Sequence, residues 1–196
     1  GLVRLAFNKL DKPSEAKGDD KGGRRSAVLI FPKGADVSPI KLIVKEAGQE
    51  TFGANFEKPA FANKLTNPLK PASTFVDQTG ELYEGFDPDE ASYGLNVTTY
   101  YDMEAEESLR DAALNPTGFG AFYSGCYCIA RVKARGYQRP EKKGVTMYVS
   151  ALQFVAHGDK FGGDIDHSRG FKAFAPADDQ INAPPERDDS IANQFM

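Results

Sequence analysis

The sequence predicts a mainly β protein: a five-stranded, OB-like antiparallel barrel with one or two short helices and long loops. Five segments alternate apolar with polar residues or are rich in β-branched and aromatic residues. Charged, Gly-rich or Pro-containing stretches separate these segments. SH3-like barrels use a similar number of strands, so the strand count alone does not select the OB-fold.

The first part of the chain predicts two strands and a helix. Residues 2–10 alternate well enough for a strand, and residues 24–33 form a second strand that Pro32 ends. The charged, Gly-containing loop between them predicts an extended hairpin. Residues 38–48 begin with Ser-Pro and repeat apolar residues at helical spacing, which predicts a short amphipathic helix capped by its serine.

The rest of the chain predicts three more strands and a second helix. Residues 52–90 indicate a long irregular excursion rather than a second domain. Residues 103–114 predict an acidic helix that Asn115 and Pro116 stop. The remaining strands are predicted over residues 93–101, 125–137 and 144–157.

Charge is distributed unevenly along this chain of net charge −4. Residues 1–74 carry 13 basic and 8 acidic side chains, and residues 116–175 carry 9 and 4. Residues 75–115 carry only 1 basic side chain against 11 acidic ones. Because a polyanion responds to the local field, the negative total does not exclude a nucleic acid as ligand.

The predicted fourth strand has two chemically different faces, since side chains alternate across a strand. One face is small and apolar and suits the inside of a tight barrel; it holds Cys126, Cys128, Ala130, Val132 and Ala134. The other sets cations between rings; it holds Tyr127, Ile129, Arg131, Lys133, Arg135 and Tyr137. Cations bind phosphates and rings stack on unpaired bases, so this face is a candidate site for single-stranded nucleic acid. An ordinary solvated strand face is the alternative.

Further basic residues extend this candidate site. The turn after the fourth strand supplies Arg139, Lys142 and Lys143 as phosphate contacts. The first hairpin carries a second basic cluster, formed by Arg24, Arg25, Lys17 and Lys21. Such a cluster fits a DNA clamp, although solubility alone also explains it. By contrast, Phe119, Phe122 and Tyr123 are expected in the core or as a barrel plug.

The C-terminal end predicts a second functional element. We expect one domain over residues 1–175, followed by a flexible, disordered acidic tail over residues 176–196, which carry 1 basic and 5 acidic side chains. Asp188 and Asp189 precede an apolar end with Phe195. Such a tail can compete with DNA for a basic face and present its aromatic end to a partner; a solubilising end is the alternative.

Catalytic and cofactor motifs are missing from the sequence, which favours a protein that is not an enzyme and needs no cofactor. There is no G-x-x-x-x-G-K-[ST], G-x-S-x-G, H-E-x-x-H or G-x-G-x-x-G. Two metal-site candidates are weak. One combines His157 and His167 with Asp164 and Asp166. The other is a nuclease site that combines the same two aspartates with Asp102 and Glu104. The two cysteines form no disulfide framework and suit a reducing cytoplasm.

Two adjacent segments carry a family resemblance. FYSGCYCIARVKARGY (122–137) and KGVTMYVSALQFVAHGDKFGG (143–163) resemble a phage family of OB-fold single-stranded-DNA-binding proteins. In that family F-Y-S-G-C-Y opens a strand, and the next strand ends near a G-(D/E)-x-(F/L)-G-G turn. The start of the chain is similar as well, with a strand ending in IFPK (30–33) before a helix. The resemblance covers most of residues 1–163.

The resemblance implies single-stranded DNA binding without sequence preference, in phage replication, recombination and repair within the bacterial host cytoplasm. It implies no catalytic residue, no cofactor and no membrane partner. The tail is similar to those of phage proteins whose acidic tails end in an aromatic residue and recruit replication enzymes. This similarity implies phage or host replication and recombination enzymes as partners of the tail. The acidic insert over residues 75–115 departs from the family. A phage protein-interaction or structural barrel remains an alternative, and a metal-dependent nuclease a less favoured one.

Overall fold

A computed structural model describes residues 1–15 and 22–162 of the chain. Within these residues, three short 3₁₀ helices accompany two α-helices, α1 (Ser38–Phe52) and α2 (Pro59–Ala62). The strands are β1 (Val3–Lys9), β2 (Arg25–Pro32), β3 (Leu69–Pro71), β4 (Ala91–Thr99), β5 (Leu109–Arg110), β6 (Tyr127–Gln138) and β7 (Lys143–Ala156). The predicted boundary at residue 175 lies outside the described residues.

Five strands close into a barrel in the order β1, β2, β4, β7 and β6, which confirms the predicted five-stranded architecture. Antiparallel pairing joins β1 to β2 and β6, β2 to β4, and β6 to β7. The barrel closes where β4 runs parallel to β7, with Val97 opposite Met147 and Thr98 opposite Tyr148, so this one pairing makes the barrel mixed and not wholly antiparallel as predicted. The short strands β3 and β5 pair with β4 and β7.

The core fills the barrel because alternate residues of each strand point inward. Leu5, Leu95, Met147 and Val149 are completely buried. Cys126 and Cys128 are also completely buried, as the alternation over residues 125–137 predicts, and both thiols are free. Phe122 packs in the same core, with Phe119 and Tyr123 partly buried against it. The three aromatic residues therefore occupy the predicted core positions.

Helix α1 packs against the inner side of β6, where that strand extends beyond its short pairing with β1. Gly136 permits the close approach, since a Cβ there would collide with Thr51 and approach the Ala47 carbonyl. The helix begins as predicted, but Ser38 is its first residue and not its cap. Asp36 accepts the Ser38 backbone N–H at 2.9 Å, and the helix continues to Phe52.

The predicted acidic helix over residues 103–114 is wrong. A single turn follows Asp102, whose carboxylate accepts the backbone N–H groups of Glu104 and Ala105, and a positive φ of 49° at Glu107 ends it. Met103 and Leu109 are both completely buried. Six residues apart on a helix, they would lie about 120° apart around its axis. An extended segment instead lets Leu109 pair with β7.

The excursion between α2 and β4 covers the outer surface of the barrel. Phe86 is completely buried over Val28 and Ile30 of β2, whose side chains point outward. Phe75 stacks on Phe86 at a centroid distance of 4.3 Å. Gly94 leaves room for both rings, because a Cβ there would clash with Phe75. The irregular segment is therefore a lid on the β1–β2 side of the barrel.

The F-Y-S-G-C-Y segment fastens β1 to the start of β6. Gly125 donates its N–H to the Leu5 carbonyl at 2.7 Å. Its own carbonyl accepts a hydrogen bond from Arg4 Nε at 3.2 Å. Asn8 reaches the same segment, donating Nδ2–H to the Phe122 carbonyl at 2.8 Å. The motif is thus a structural joint in the barrel wall.

Replacing Gly125 by alanine tests this joint. Gly125 has a φ of 111°, which L side chains rarely adopt, and an added Cβ would collide with the Asp159 carbonyl oxygen. We expect the free energy of unfolding, measured by urea denaturation, to fall by about 1–3 kcal/mol. Gly120→Ala is the matched control, since a Cβ there meets nothing within 4 Å. An unchanged midpoint for Gly125→Ala would contradict this role.

Candidate nucleic-acid interface

The outward side of β6 presents three exposed cations. Arg131, Lys133 and Arg135 alternate with inward-facing small residues along the strand. Successive outward positions of a strand are about 6.6 Å apart, so the cations form a row about 13 Å long. In the described part of the chain no carboxylate forms an ion pair with any of the three. Their charge is available to an anionic ligand.

The neighbouring strands widen this row into a surface, here called the β4–β6–β7 face. Its outward residues are Arg131, Lys133, Arg135, Thr146, Tyr148, Ser150, Thr98 and Tyr100. Register defines its rows: Lys133 lies opposite Tyr148, which in turn lies beside Thr98. The sequences of the three strands contain no Asp or Glu. The face is therefore basic, hydroxyl-bearing and aromatic.

Acidic residues border the face. Glu46 and Glu50 of α1 line a shallow pocket together with Lys133 at the free edge of β6. Beyond the end of β4, the turn after Asp102 carries three more glutamates. Like charge repels phosphate, so these borders direct a polyanion along the strands and away from the helix.

The turn between β6 and β7 extends the basic surface. Arg139 and Lys142 are exposed, and the Arg139 N–H donates to the Lys142 carbonyl at 2.8 Å. Lys143 begins β7 and is half-buried, as is Tyr137, which lies opposite Gly144. The structure thus brings Arg139, Lys142 and Lys143 to the same hairpin as the three cations of β6.

Tyr127, another predicted contact, lies apart from this surface. It is about 20 Å along β6 from Lys133, and it is half-buried beside Arg4. The Arg4 guanidinium carbon lies 5.2 Å from the Tyr127 ring centroid and 4.3 Å from the Phe161 ring centroid. Sequence reasoning missed Arg4. Its side chain donates two hydrogen bonds to backbone carbonyls, which gives it a structural role. Tyr127 as a DNA contact stays a prediction.

Arg24 and Arg25 have different surroundings despite being adjacent. Arg24 is exposed at the entrance to β2. Arg25 Nη2 lies 3.0 Å from Asp102 Oδ2, and its side chain is only 11% exposed. Hydrogen bonds from backbone N–H groups lower the pKa of the Asp102 carboxyl, and the one from Ala105 has the largest effect. Asp102 therefore stays charged beside Arg25. The geometry gives Arg25 a structural partner, while Lys17 and Lys21 lie outside the described residues.

Two residues missed by sequence reasoning are Tyr100 and Tyr148. Their ring centroids lie 6.4 Å apart with an interplanar angle of 45°. Tyr100 is 55% exposed, directly after β4. Alternation within residues 144–157 places Tyr148 outward, which was a usable signal. Their proximity was not predictable, because it depends on the parallel pairing that closes the barrel.

The other candidate sites find no support in the described residues. Asp102 pairs with Arg25, and Glu104 accepts the Phe119 N–H at 3.2 Å. His157 Nδ1 lies 3.1 Å from the Tyr123 hydroxyl. Residues 1–15 and 22–162 contain no group of three His, Cys, Asp or Glu side chains arranged for a metal. Outside these ranges lie Asp164, Asp166, His167, Asp188, Asp189 and Phe195.

Burial also excludes the cysteines from chemistry at this face. Desolvation raises the pKa of Cys126, and it raises the pKa of Cys128 to about 12. A thiol with such a pKa is neutral at physiological pH, and the thiolate is the reactive form. Both cysteines are therefore packing residues.

The family model of the Enterobacter phage Enc34 ssDNA-binding protein matches residues 1–181. The chain belongs to this family. The match confirms the resemblance carried by the F-Y-S-G-C-Y segment. No curated protein sequence matches the chain closely enough to add a further relative. Among the described residues, no helix is long and apolar enough to cross a membrane.

Solved structures of phage proteins share the fold. The single-stranded DNA-binding protein from bacteriophage Enc34 in complex with ssDNA is 16% identical with a TM-score of 0.61, covering 82% of this chain and 86% of that one. Its structure without DNA is 17% identical with a TM-score of 0.56, covering 87% of each chain. Gp2.5, encoded by bacteriophage T7, is 10% identical with a TM-score of 0.53, covering 85% and 94%.

Comparing Arg25→Gln with Arg131→Gln tests the two environments of arginine. Arg25→Gln removes the partner of Asp102, so we expect a lower thermal midpoint and little change in the salt dependence of DNA binding. Asp102 is 48% exposed, so the expected loss of stability is modest, up to about 1 kcal/mol. Arg131→Gln should leave the thermal midpoint nearly unchanged and reduce the salt dependence of DNA binding. Equal losses of DNA affinity and salt slope in both variants would show that Arg25 also contacts phosphate.

Proposed function

We propose that this protein binds single-stranded DNA without sequence preference and covers exposed strands during phage DNA replication, recombination and repair in the host cytoplasm. The observation that carries the proposal is the row Arg131, Lys133 and Arg135, exposed and without a carboxylate partner in the described residues. Phosphate neutralisation supplies most of such non-specific affinity. Membership of a ssDNA-binding family supports the same conclusion.

The face suits a single strand for two reasons. Its cations follow one strand direction, so they track one phosphate backbone along β6 and onto the hairpin turn. Hydroxyl and aromatic side chains lie beside them on β7 and β4, where unpaired bases would be placed. In the part of the face that the structure describes, no constellation for reading base edges accompanies them, and base stacking tolerates any sequence.

A gel-shift assay with labelled single-stranded DNA, with and without Mg²⁺, tests the proposal. A shift without cleavage under both conditions supports single-strand binding. No shift at low salt would favour a barrel that binds only protein, and Mg²⁺-dependent cleavage would favour a nuclease. The role of Asp188, Asp189 and Phe195 in recruiting replication enzymes stays a prediction.

The salt dependence of affinity provides a residue-level test. For single strands, log affinity falls with log salt by about 0.7 for each phosphate neutralised. Arg131→Gln and Lys133→Gln should therefore each reduce the slope by about 0.7 in fluorescence-anisotropy titrations at several salt concentrations. Lys33→Gln is the control, because Lys33 lies 2.9 Å from Asp89 next to the excursion. A slope unchanged by the β6 variants would contradict this interface.

A further inference from the structure

Within the described part of the chain, Tyr100 and Tyr148 lack the hydroxyl hydrogen bonds that hold Tyr93, Tyr101 and Tyr123. Neither hydroxyl forms a hydrogen bond within residues 1–15 and 22–162, and the ring contact of each is with the other. By comparison, Tyr101 donates its hydroxyl to the Val149 carbonyl at 3.3 Å, and Tyr123 donates to the Gly158 carbonyl at 3.0 Å. The hydroxyls of Tyr100 and Tyr148 therefore do not hold strands or loops together as those of Tyr101 and Tyr123 do.

The position of the pair links it to the cations. Tyr148 lies directly opposite Lys133 on β6, and Ser150, two residues on, donates to the Arg131 carbonyl at 3.2 Å. Tyr100 follows Thr98, the residue beside Tyr148, by two positions. Side chains on neighbouring strands are about 5 Å apart at Cβ. A nucleotide whose phosphate contacts Lys133 or Arg131 would thus have its base within reach of the two rings.

The ring separation is slightly smaller than one stacked base requires, so the two tilted rings would have to part and turn to admit a base. Stacked bases repeat at about 3.4 Å, so a base held between two rings separates them by about 6.8 Å. The observed centroid distance is 6.4 Å, with the planes tilted by 45°. Because Tyr100 is 55% exposed, its ring is free to rotate towards a parallel arrangement without displacing core residues.

We propose that Tyr100 and Tyr148 form a base-stacking clamp that holds one unpaired base of the DNA strand, of any sequence. The proposal rests on single-strand binding by the β4–β6–β7 face and assigns its stacking residues. The rings belong to β7 and to the residue after β4, and the phosphates flanking the clamped base are held by β6. Stacking and phosphate binding are thereby divided between neighbouring strands of the barrel.

Two DNA probes separate these contributions. One is oligo(dT) of about 30 nucleotides, longer than the ~4–16 that one OB-fold covers. The other is a strand of the same length made entirely of abasic sites, which keeps the phosphates and removes the bases. Wild-type protein, Tyr100→Leu, Tyr148→Leu and Tyr100→Phe are titrated with both, and circular dichroism and thermal melts verify that each variant folds.

We expect Tyr100→Leu and Tyr148→Leu to weaken oligo(dT) binding roughly 5- to 100-fold and to leave abasic-strand binding and the salt slope unchanged. Tyr100→Phe keeps the ring and should bind like wild type. Tyr83→Leu is the control, since Tyr83 is 40% exposed but belongs to the excursion and packs on Phe7 of β1. The chain has 8 Tyr and no Trp, so quenching of its intrinsic fluorescence by oligo(dT) should shrink in Tyr100→Leu.

The outcomes distinguish the clamp from the proposed function. If wild-type protein binds neither probe, single-strand binding itself is wrong. If it binds both probes equally, or if both leucine variants bind oligo(dT) like wild type, binding stands and the clamp is wrong. Equal weakening on both probes in folded leucine variants would also overturn the clamp, because the rings would then act on backbone binding. Tyr148→Leu failing to fold leaves Tyr100→Leu as the deciding variant.

Discussion

The parallel pairing of β4 with β7 is the constraint on which both the core and the candidate interface depend. Inside the barrel, it places Val97 beside Met147, and both side chains are buried. Outside, the same register places Thr98 beside Tyr148, and it brings the Tyr100 ring close to the Tyr148 ring. A slip by one residue would exchange the two faces. The buried apolar residues therefore stabilise the arrangement of the exposed ones.

The second organising feature is the separation of opposite charges around the barrel. Residues 72–90 carry six acidic side chains and no basic one, and they cover the outer surface of β1 and β2 through Phe75 and Phe86. The cations of β6 lie on a different part of the wall. Such separation reconciles a net charge of −4 with a polyanionic ligand. Glu46 and Glu50 of α1 are the acidic residues that line a pocket with Lys133, but among the described residues neither of them forms an ion pair with Lys133 or Arg131.

Local patterns predicted what depends on neighbours in sequence. Alternation in residues 125–137 was sufficient to divide β6 into a buried side with Cys128 and an outward side with Lys133. It could not distinguish Arg24 from Arg25, because the Asp102 partner is 77 residues away. The helix over residues 103–114 failed for a similar reason. Charge and spacing favour a helix there, but burial of both Met103 and Leu109 overrides the local preference.

The residues by which the chain resembles its family are largely those of the framework. Phe122 is buried, Gly125 joins β1 to β6, and the Tyr123 hydroxyl bridges the Gly158 N–H and carbonyl. Close approach and positive φ restrict such positions to few residue types. An interface that reads no sequence needs only cations and rings in suitable places, so it tolerates exchange between positions. A structure 16% identical can therefore share the fold without supplying the contact residues, which must be derived from the charge, exposure and register of this chain.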